Sequence, residues 1–425
     1  MTTTPSRPAT AWPGLDSSPR GLKAEVSARI ARRLFRAAVS RLPVTVLEGP
    51  VGYGRGGPVM TVRRPEEFFA RIGRDGLIGF GEAYLTGAWE ADDLGGFLTV
   101  LSAEMPRLVP ASLQKLRAAY VRRPPRHQKS SEANARGNIA HHYDLSNDLF
   151  GLFLDPTLSY SSALFDTSVL DRGTHLEAAP PEEGLEALET AQGRKIERLL
   201  DSTGVGKGTR VLEIGTGWGE LAIRAARRGA TVHSVTLSSE QLELAERRVA
   251  HAGLTDRVTL ELSDYRAVTG QYDAVVSVEM IEAVGHEYWS TYFQMIDRVL
   301  APDGVVGIQA ITMPHDRMLA TRRTWTWINK YIFPGGFLPS VEAIDEITRA
   351  DTGLRLTGRL SFGQHYAETL RRWDTAFLAA RDQVLGLGFD ETFLRMWHFY
   401  LEYSRAGFAS GYIDVQQLVL ERGRS

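Results

Sequence analysis

The chain has 425 residues, of which 43% are hydrophobic and 24% charged, a composition typical of a folded protein of two or three domains. It contains no cysteine, which excludes disulfide bonds, a thiolate nucleophile and a cysteine zinc site. The net charge of −2 conceals a basic N-terminal part, because residues 1–130 carry +9 and the others −11. Since the chain shows neither a signal-peptide pattern nor a long apolar run, we expect a cytoplasmic protein without a membrane span.

The basic N-terminal part is predicted to comprise a tail, a small domain and a linker. Residues 1–20 are rich in Thr, Ser and Pro without periodicity, which indicates a mobile tail. Residues 21–122 combine helical patterns with short strand patterns around the stretch GYGRGG, so we expect a small α+β domain. Residues 123–137 are polar and basic and include a proline pair, as in a linker. A larger domain over 138–425 follows.

Within the small domain, the segment SARIARRLFRAAVSRL is predicted to form a basic helix. Apolar side chains recur at helical spacing, at Ile30, Leu34, Ala38 and Leu42, among Arg29, Arg32, Arg33, Arg36 and Arg41. Two interpretations stay open: a helix that lies at a membrane interface, or a solvated helix with one stripe facing a core. Because no zinc-finger spacing or RNA-binding aromatic signature is present, nucleic acid is not expected as a partner.

The larger domain alternates apolar runs of strand length with helical patterns. The runs begin at TRVLEIG and continue through LAIRAARRG, TVHSVTL, SEQLELAERRVAHAG, VTLELSD, YDAVVSVEM and VVGIQAIT. This alternation predicts an α/β fold with a doubly wound, mainly parallel sheet. The preceding stretch TSVLDRGTHLEAAPPEEG is predicted to be a surface loop or lid.

The stretch VLEIGTGWGE places Gly215, Gly217 and Gly219 directly after a predicted buried strand. Glycines there permit a sharp turn and a close backbone approach to a ligand. A dinucleotide site requires the spacing G-x-G-x-x-G and an acid at the end of the second strand, whereas that strand ends in TLS and the next acid is Glu240. The loop therefore favours S-adenosylmethionine over a nicotinamide cofactor.

Several segments together resemble one family, the cyclopropane-fatty-acyl-phospholipid synthases with the related mycolic acid cyclopropane synthases and methyltransferases. They are HHYDLSNDLF, LSYSSALF, VLEIGTGWGELA, SVTLSSEQ, SVEMIEAVG, WINKYIFPGGFLPS and FGQHYAETL. The similarity spans 137–425, and GEAYLTGAWEADDL resembles the family's N-terminal domain. The resemblance implies a class I S-adenosylmethionine-dependent methyltransferase fold over 138–425 and a smaller α+β domain that associates with lipid or membrane over 21–122.

The resemblance also implies the site residues. The S-adenosylmethionine pocket would be lined by Tyr160, Ser161, Gly215, Gly217, Thr236, Leu237 and Gln241, with Asp264 and Tyr265 near the adenine. Relatives use a bound bicarbonate as the catalytic base, and the matching positions here are Ser162, Glu282, Gln309, Ile311 and Tyr366. Ser162 and Gln309 replace the usual Cys and His, and Ala283 stands where a further His is usual. Ser and Gln still donate hydrogen bonds to an oxyanion, so a bicarbonate pocket is expected.

The implied reaction transfers a methyl(ene) carbon to the cis double bond of an unsaturated phospholipid acyl chain through a carbocation. Loss of a proton from the new methyl group closes a cyclopropane ring, whereas a hydride shift before the proton is lost gives a methylene branch. Because the residues around the base are altered, and because some relatives make methylene- or methyl-branched chains, we expect the branched product. No metal ion is expected to take part.

The resemblance further implies a homodimer, contact between the basic domain and the anionic inner face of the membrane, and a separate reductase that converts a methylene into a methyl branch. Two other functions stay open. One is methylation of a soluble small molecule, since some plant alkaloid N-methyltransferases resemble this family. The other is a non-catalytic lipid-binding or cofactor-binding role, which the altered base residues suggest. A dehydrogenase is disfavoured by the missing acid after the second strand.

Overall fold

A computed structural model describes residues 12, 14–108, 146–182, 184 and 186–423. Contacts divide the chain into two units: Met1–Arg123 with Trp325–Lys330 and Leu370–Tyr412, and Pro124–Thr324 with Tyr331–Thr369 and Ile413–Ser425. The predicted linker over 123–137 and most of the predicted tail over 1–20 lie outside the described residues. The prediction assigned all of 138–425 to one domain, whereas the division places two of its segments with the N-terminal unit.

The secondary structure of the described residues follows in chain order. The helices are α1 (Leu22–Val39), α2 (Pro65–Asp75), α3 (Leu77–Leu85), α4 (Leu94–Leu108), α5 (Asn147–Gly151), α6 (Leu188–Ser202), α7 (Glu220–Arg227), α8 (Ser239–His251), α9 (Ile281–Val284), α10 (Trp289–Val299), α11 (His315–Thr321), α12 (Trp327–Tyr331), α13 (Val341–Asp351), α14 (Gly363–Ala379), α15 (Arg381–Gly386) and α16 (Glu391–Ala409). The strands are β1 (Thr45–Glu48), β2 (Val51–Gly54), β3 (Val59–Val62), β4 (Trp89–Ala91), β5 (Val169–Asp171), β6 (Leu176–Ala178), β7 (Arg210–Ile214), β8 (Thr231–Thr236), β9 (Val258–Leu262), β10 (Tyr272–Val278), β11 (Leu300–Thr312), β12 (Leu354–Ser361) and β13 (Asp414–Arg422).

The first unit is built around a sheet of order β2-β1-β3-β4, so the predicted α+β composition is present. α16 contributes to the core of this unit, because Phe399 packs against Tyr84 and Trp89 with ring centroids 5.2 and 6.3 Å apart. The Arg395 guanidinium also lies 4.4 Å from the centre of the Tyr84 ring. These apolar and cation–π contacts are the physical reason why α16, far along the chain, belongs to the N-terminal unit.

The second unit contains a nine-stranded sheet of order β5-β6-β12-β13-β11-β10-β7-β8-β9. Its strands β11, β10, β7, β8 and β9 are mutually parallel, and β13 pairs antiparallel with β11 and β12. Side chains in β7 and β10 such as Val211, Leu212 and Val275 are completely buried, as expected for strands covered on both faces. The predicted doubly wound, mainly parallel sheet is confirmed.

The stretch predicted to be a loop or lid is instead a hairpin at the edge of this sheet. β5 and β6 pair antiparallel, and β6 pairs with β12 through Leu176 and Glu177. Gly173, with a positive φ of 76°, forms the turn, and its amide donates to the Asp171 carboxylate at 2.7 Å. The strands have three residues each, so the periodicity was too short to predict.

Among the described residues, none of the helices is both long and apolar enough to cross a membrane.

Candidate active site

The glycine loop after β7 adopts a backbone that few other residues tolerate. Gly215, Gly217 and Gly219 all have positive φ, at 95°, 52° and 86°. A Cβ on Gly215 would lie 2.5 Å from the Met280 side chain, whereas a Cβ on Gly217 would meet no atom within 4 Å. The loop is therefore tightly packed on one side and has open space at Gly217, where a ligand could approach the backbone.

A cavity lies beside this loop at the carboxyl ends of β7, β8 and β10, where doubly wound sheets bind ligands. Eight of the nine residues predicted to hold the cofactor line it: Tyr160, Ser161, Gly215, Gly217, Thr236, Leu237, Gln241 and Tyr265. Asp264 is not among the lining residues. Its carboxylate is bound by the Arg266 guanidinium at 2.6 Å and accepts from the Arg266 amide at 3.0 Å, so it caps the short helix that begins at Tyr265.

The cavity fits S-adenosylmethionine in the chemistry of its lining. Hydroxyl groups, the Gln241 amide and the open backbone at Gly217 supply hydrogen-bonding groups, and Tyr265 supplies an aromatic surface. A buried ammonium is present as well: Lys195 is 1% exposed and donates to Ser161 Oγ at 2.6 Å. Burial lowers the pKa of Lys195 to about 8. Lys195 was not selected from the sequence, where nothing distinguishes it from other helical lysines.

A carboxylate that the sequence analysis did not select stands at the centre of the predicted base pocket. Glu279 follows β10 with a left-handed backbone, φ 52°, and lines the cavity. Its Oε1 accepts from the Ser162 amide and from Gln309 Nε2, both at 2.9 Å. Its Oε2 accepts from the Tyr366 hydroxyl at 2.7 Å. Three residues assigned to bicarbonate therefore donate to a carboxylate of the protein itself.

The second acid of the same motif, Glu282, is held differently. Its Oε1 accepts from the Ile311 amide, and its Oε2 has no hydrogen-bond partner among the described residues. Burial, and after it the charge of Glu279, raises the pKa of Glu282 to about 8. Burial also raises the pKa of Glu279, but the bonds from Tyr366, Gln309 and Ser162 oppose that shift. Of the two acids, Glu279 is the one whose ionised form is better stabilised, because it accepts three hydrogen bonds that oppose the effect of burial.

Buried neighbours fix the direction of the Gln309 amide. Gln309 Oε1 accepts from Gln417 Nε2 at 3.1 Å, and Gln417 Oε1 in turn accepts from the Arg198 guanidinium at 2.6 Å. Since Arg can only donate, Gln417 must present its nitrogen to Gln309, and Gln309 must present its own nitrogen to Glu279. By contrast, the Ser162 hydroxyl donates to the Ala163 carbonyl at 3.0 Å, so the amide of Ser162, and not its hydroxyl, contacts Glu279.

The five residues predicted to act in catalysis are thus brought together in two linked groups. Ser162, Gln309 and Tyr366 surround Glu279, and Ile311 supports Glu282. Sequence reasoning missed Glu279 although it lies within SVEMIEAVG. The available signal was a second acid directly after a strand of the sheet, at the edge where ligands bind.

Comparisons with known proteins identify the family to which the chain is similar. The mycolic acid cyclopropane synthetase family model matches residues 130–418. The chain is 53% identical over 416 residues to a tuberculostearic acid methyltransferase of Mycobacterium tuberculosis, covering 97% of this chain and 95% of that protein. It is 35% identical over 367 residues to a cyclopropane-fatty-acyl-phospholipid synthase of Escherichia coli, covering 85% of this chain and 87% of that protein. A solved mycolic acid cyclopropane synthase complexed with SAH and CTAB matches with a TM-score of 0.59 and 31% identity, covering 68% of this chain and 98% of that chain.

Proposed function

Because the chain belongs to the mycolic acid cyclopropane synthetase family, we propose that it methylates the cis double bond of an unsaturated phospholipid acyl chain and forms a methylene-branched chain. The chain is an S-adenosylmethionine-dependent methyltransferase that acts on fatty acids. The phospholipid substrate, the carbocation route and the branched product are the proposal. The observation that carries it is the Glu279 carboxylate, held by three hydrogen bonds beside the cofactor cavity.

The residues of the cavity would hold S-adenosylmethionine, which supplies an electrophilic methyl group. The π electrons of the double bond form the new carbon–carbon bond, and the adjacent chain carbon becomes a cation. A hydride shift from the methyl-bearing carbon to its cationic neighbour moves the positive charge next to the new methyl group, and loss of a proton from that methyl group then forms the methylene group. The site must therefore stabilise a cation, exclude water and accept one proton.

Glu279 meets the need for cation stabilisation and for a proton acceptor without an external anion. Its carboxylate stabilises a nearby cation electrostatically and accepts the proton that the cation loses. The three donated hydrogen bonds orient it, and the raised pKa of Glu282 disfavours a second negative charge in the pocket. The bicarbonate that the resemblance implies stays a prediction, and we favour Glu279 as the base because the donors assigned to bicarbonate are bonded to it.

The branched product is supported by the relative that is 53% identical, whose name describes a methyltransferase and not a cyclopropane synthase. A methylene branch becomes a methyl branch only when two electrons and two protons are added. Because methyl transfer supplies none of these electrons, the proposal includes a separate reductase for that step.

The test is mass spectrometry, with fragmentation that locates double bonds, of lipids from a host that makes monounsaturated phospholipids, with and without expression of this chain. We expect an added CH2 with unsaturation retained. An added CH2 with a ring and no double bond would show a cyclopropane synthase. If the folded, cofactor-supplied protein adds no CH2 to any lipid, the acyl-chain substrate is wrong, and soluble substrates or a binding role become the alternatives.

A further inference from the structure

The outer face of α1 carries an apolar stripe that the first unit does not bury. Leu22, Val26, Ile30 and Leu34 are 81, 55, 56 and 47% exposed, and their spacing of four residues places them in a row along one side of the helix. The opposite side packs against the unit, with Ala31 and Val39 buried. We call these four residues the outer stripe of α1.

The outer stripe differs from the stripe that the sequence predicted. Ile30 and Leu34 belong to it, but Leu42 is buried at 5% exposure and Ala38 is half-buried. The predicted arginines also differ in their surroundings, because some of them bind an acid of the same unit. Arg32 and Arg36 both bind the buried carboxylate of Glu48, the latter at 2.8 Å. Glu48 offsets one of their two charges and holds both side chains, so these two arginines are less available to an external partner than arginines without an acidic neighbour.

Other cations remain available on the same side as the stripe. Lys23, Arg29 and Arg33 are exposed, and no hydrogen bond or ion pair is found for them among the described residues. The acid exposed on this helix is Glu25 in its first turn. The outer face of α1 therefore combines large apolar side chains with an excess of positive charge, the pattern of helices that lie in a membrane interface.

We infer that the outer stripe of α1, with Lys23, Arg29 and Arg33, docks the protein on an anionic lipid bilayer. The apolar side chains enter the region below the headgroups, and the cations pair with lipid phosphates. A second copy of the chain fits this surface poorly, because two such faces would place their arginines against each other. The inference rests on the proposed function, since a phospholipid acyl chain must be taken from a bilayer.

The test is sedimentation of the full chain with large vesicles, without S-adenosylmethionine, so that binding is measured independently of catalysis. Vesicles of phosphatidylglycerol and phosphatidylcholine are compared with vesicles of phosphatidylcholine alone. We expect binding to the anionic vesicles that weakens at least tenfold when salt is raised from 0.05 to 0.5 M, since salt screens exposed charges. Equal binding to both kinds of vesicle, or no binding to either, would overturn the inference.

Two variants separate the apolar and charged contributions. The double substitution Ile30→Gln/Leu34→Gln is expected to weaken vesicle binding at least tenfold. The double substitution Arg29→Gln/Arg33→Gln is expected to weaken vesicle binding and also to reduce its dependence on salt. The matched controls are Leu387→Gln, at a leucine that is 41% exposed elsewhere, and Arg227→Gln, at an exposed arginine of α7. Both controls should bind as the unsubstituted chain does. Stripe variants that also bind normally would refute the assignment.

Two further measurements distinguish the possible failures. Methyl transfer to phospholipid dispersed in detergent should be unchanged in the stripe variants, because the bilayer is absent. If vesicle binding depends on α1 but no acyl chain is methylated, the proposed function fails and the docking surface stands. If the unsubstituted chain is a dimer and the stripe variants are monomers in size-exclusion chromatography with light scattering, the face joins two copies, and the inference is wrong.

Discussion

Replacement of Glu279 by Gly and by Gln tests whether the base belongs to the protein. Glu279→Gln keeps the shape of the side chain and removes its basicity. In the unsubstituted protein, the Tyr366 hydroxyl, Gln309 Nε2 and the Ser162 amide donate to the Glu279 carboxylate at 2.7 to 2.9 Å. Glu279→Gly removes that carboxylate and leaves the three donors around an empty anion-sized space. Since φ is 52°, glycine is the residue that this backbone accepts with least strain.

The expected magnitudes follow from the roles of the carboxylate. Loss of a positioned general base lowers kcat by about 10²- to 10⁴-fold, which corresponds to roughly 3–5 kcal/mol of activation free energy. Relief of the left-handed backbone by glycine favours folding by roughly 1–2 kcal/mol and offsets part of the lost hydrogen bonding. We therefore expect both variants to fold and both to lose at least 99% of the wild-type kcat.

The assay measures methyl transfer to dispersed phospholipid in buffer freed of carbon dioxide, with and without added bicarbonate. Wild type should be indifferent to bicarbonate, because Glu279 occupies the donors. Glu279→Gly should recover at least tenfold when bicarbonate is added, since the small anion can bind the three freed donors. Glu279→Gln is the matched control and should not recover, because its amide still fills the space.

Glu279 is not the base if wild-type activity collapses in carbon-dioxide-free buffer while Glu279→Gln retains more than a tenth of the wild-type kcat. That combination would identify bicarbonate as the base and give Glu279 a structural role. Thermal unfolding of each variant confirms that a loss of kcat reflects chemistry and not unfolding.

Three other predictions use the same site. Lys195→Met should move the acidic limb of the kcat–pH profile to higher pH, because the ammonium lowers the pKa of Glu279; an unmoved limb would contradict this electrostatic coupling. Glu213 lies in β7, is 3% exposed and lines the cofactor cavity, and burial raises its pKa from 4.5 to about 8. Its contribution to the free energy of unfolding is therefore most favourable below pH 4.5 and falls by on the order of 5 kcal/mol as the pH rises towards 8. Glu213→Gln should therefore lose less thermal stability than wild type between pH 5 and 9, and equal losses would be evidence against the shift. Gly217→Ala should weaken S-adenosylmethionine binding in calorimetry at least tenfold, whereas Gly253→Ala, with a similar φ of 68° and open surroundings, should not.

Much of the fold could be predicted because its signals are local. Each parallel strand is a short apolar run next to a helical pattern, and the glycine loop follows its strand directly, so neighbouring residues carry the information. The β5–β6 hairpin was missed because three-residue strands leave no periodicity, and their pairing depends on β12, far along the chain. For the same reason the contribution of α16 to the N-terminal unit could not be predicted: it depends on contacts such as that of Phe399 with Tyr84.

The sequence by itself determined the doubly wound sheet, the glycine loop and the kinds of residue around the base. Tertiary structure alone decided which acid lies among the donors, because Tyr366, Gln309 and Ser162 reach Glu279 from 87, 30 and 117 residues away in the chain. It likewise decided that Arg32 and Arg36 bind Glu48 while Arg29 and Arg33 stay exposed. The physical reason is that residue type and spacing set local conformation, whereas the charge, burial and hydrogen bonding of a carboxylate depend on whichever distant groups the fold brings against it.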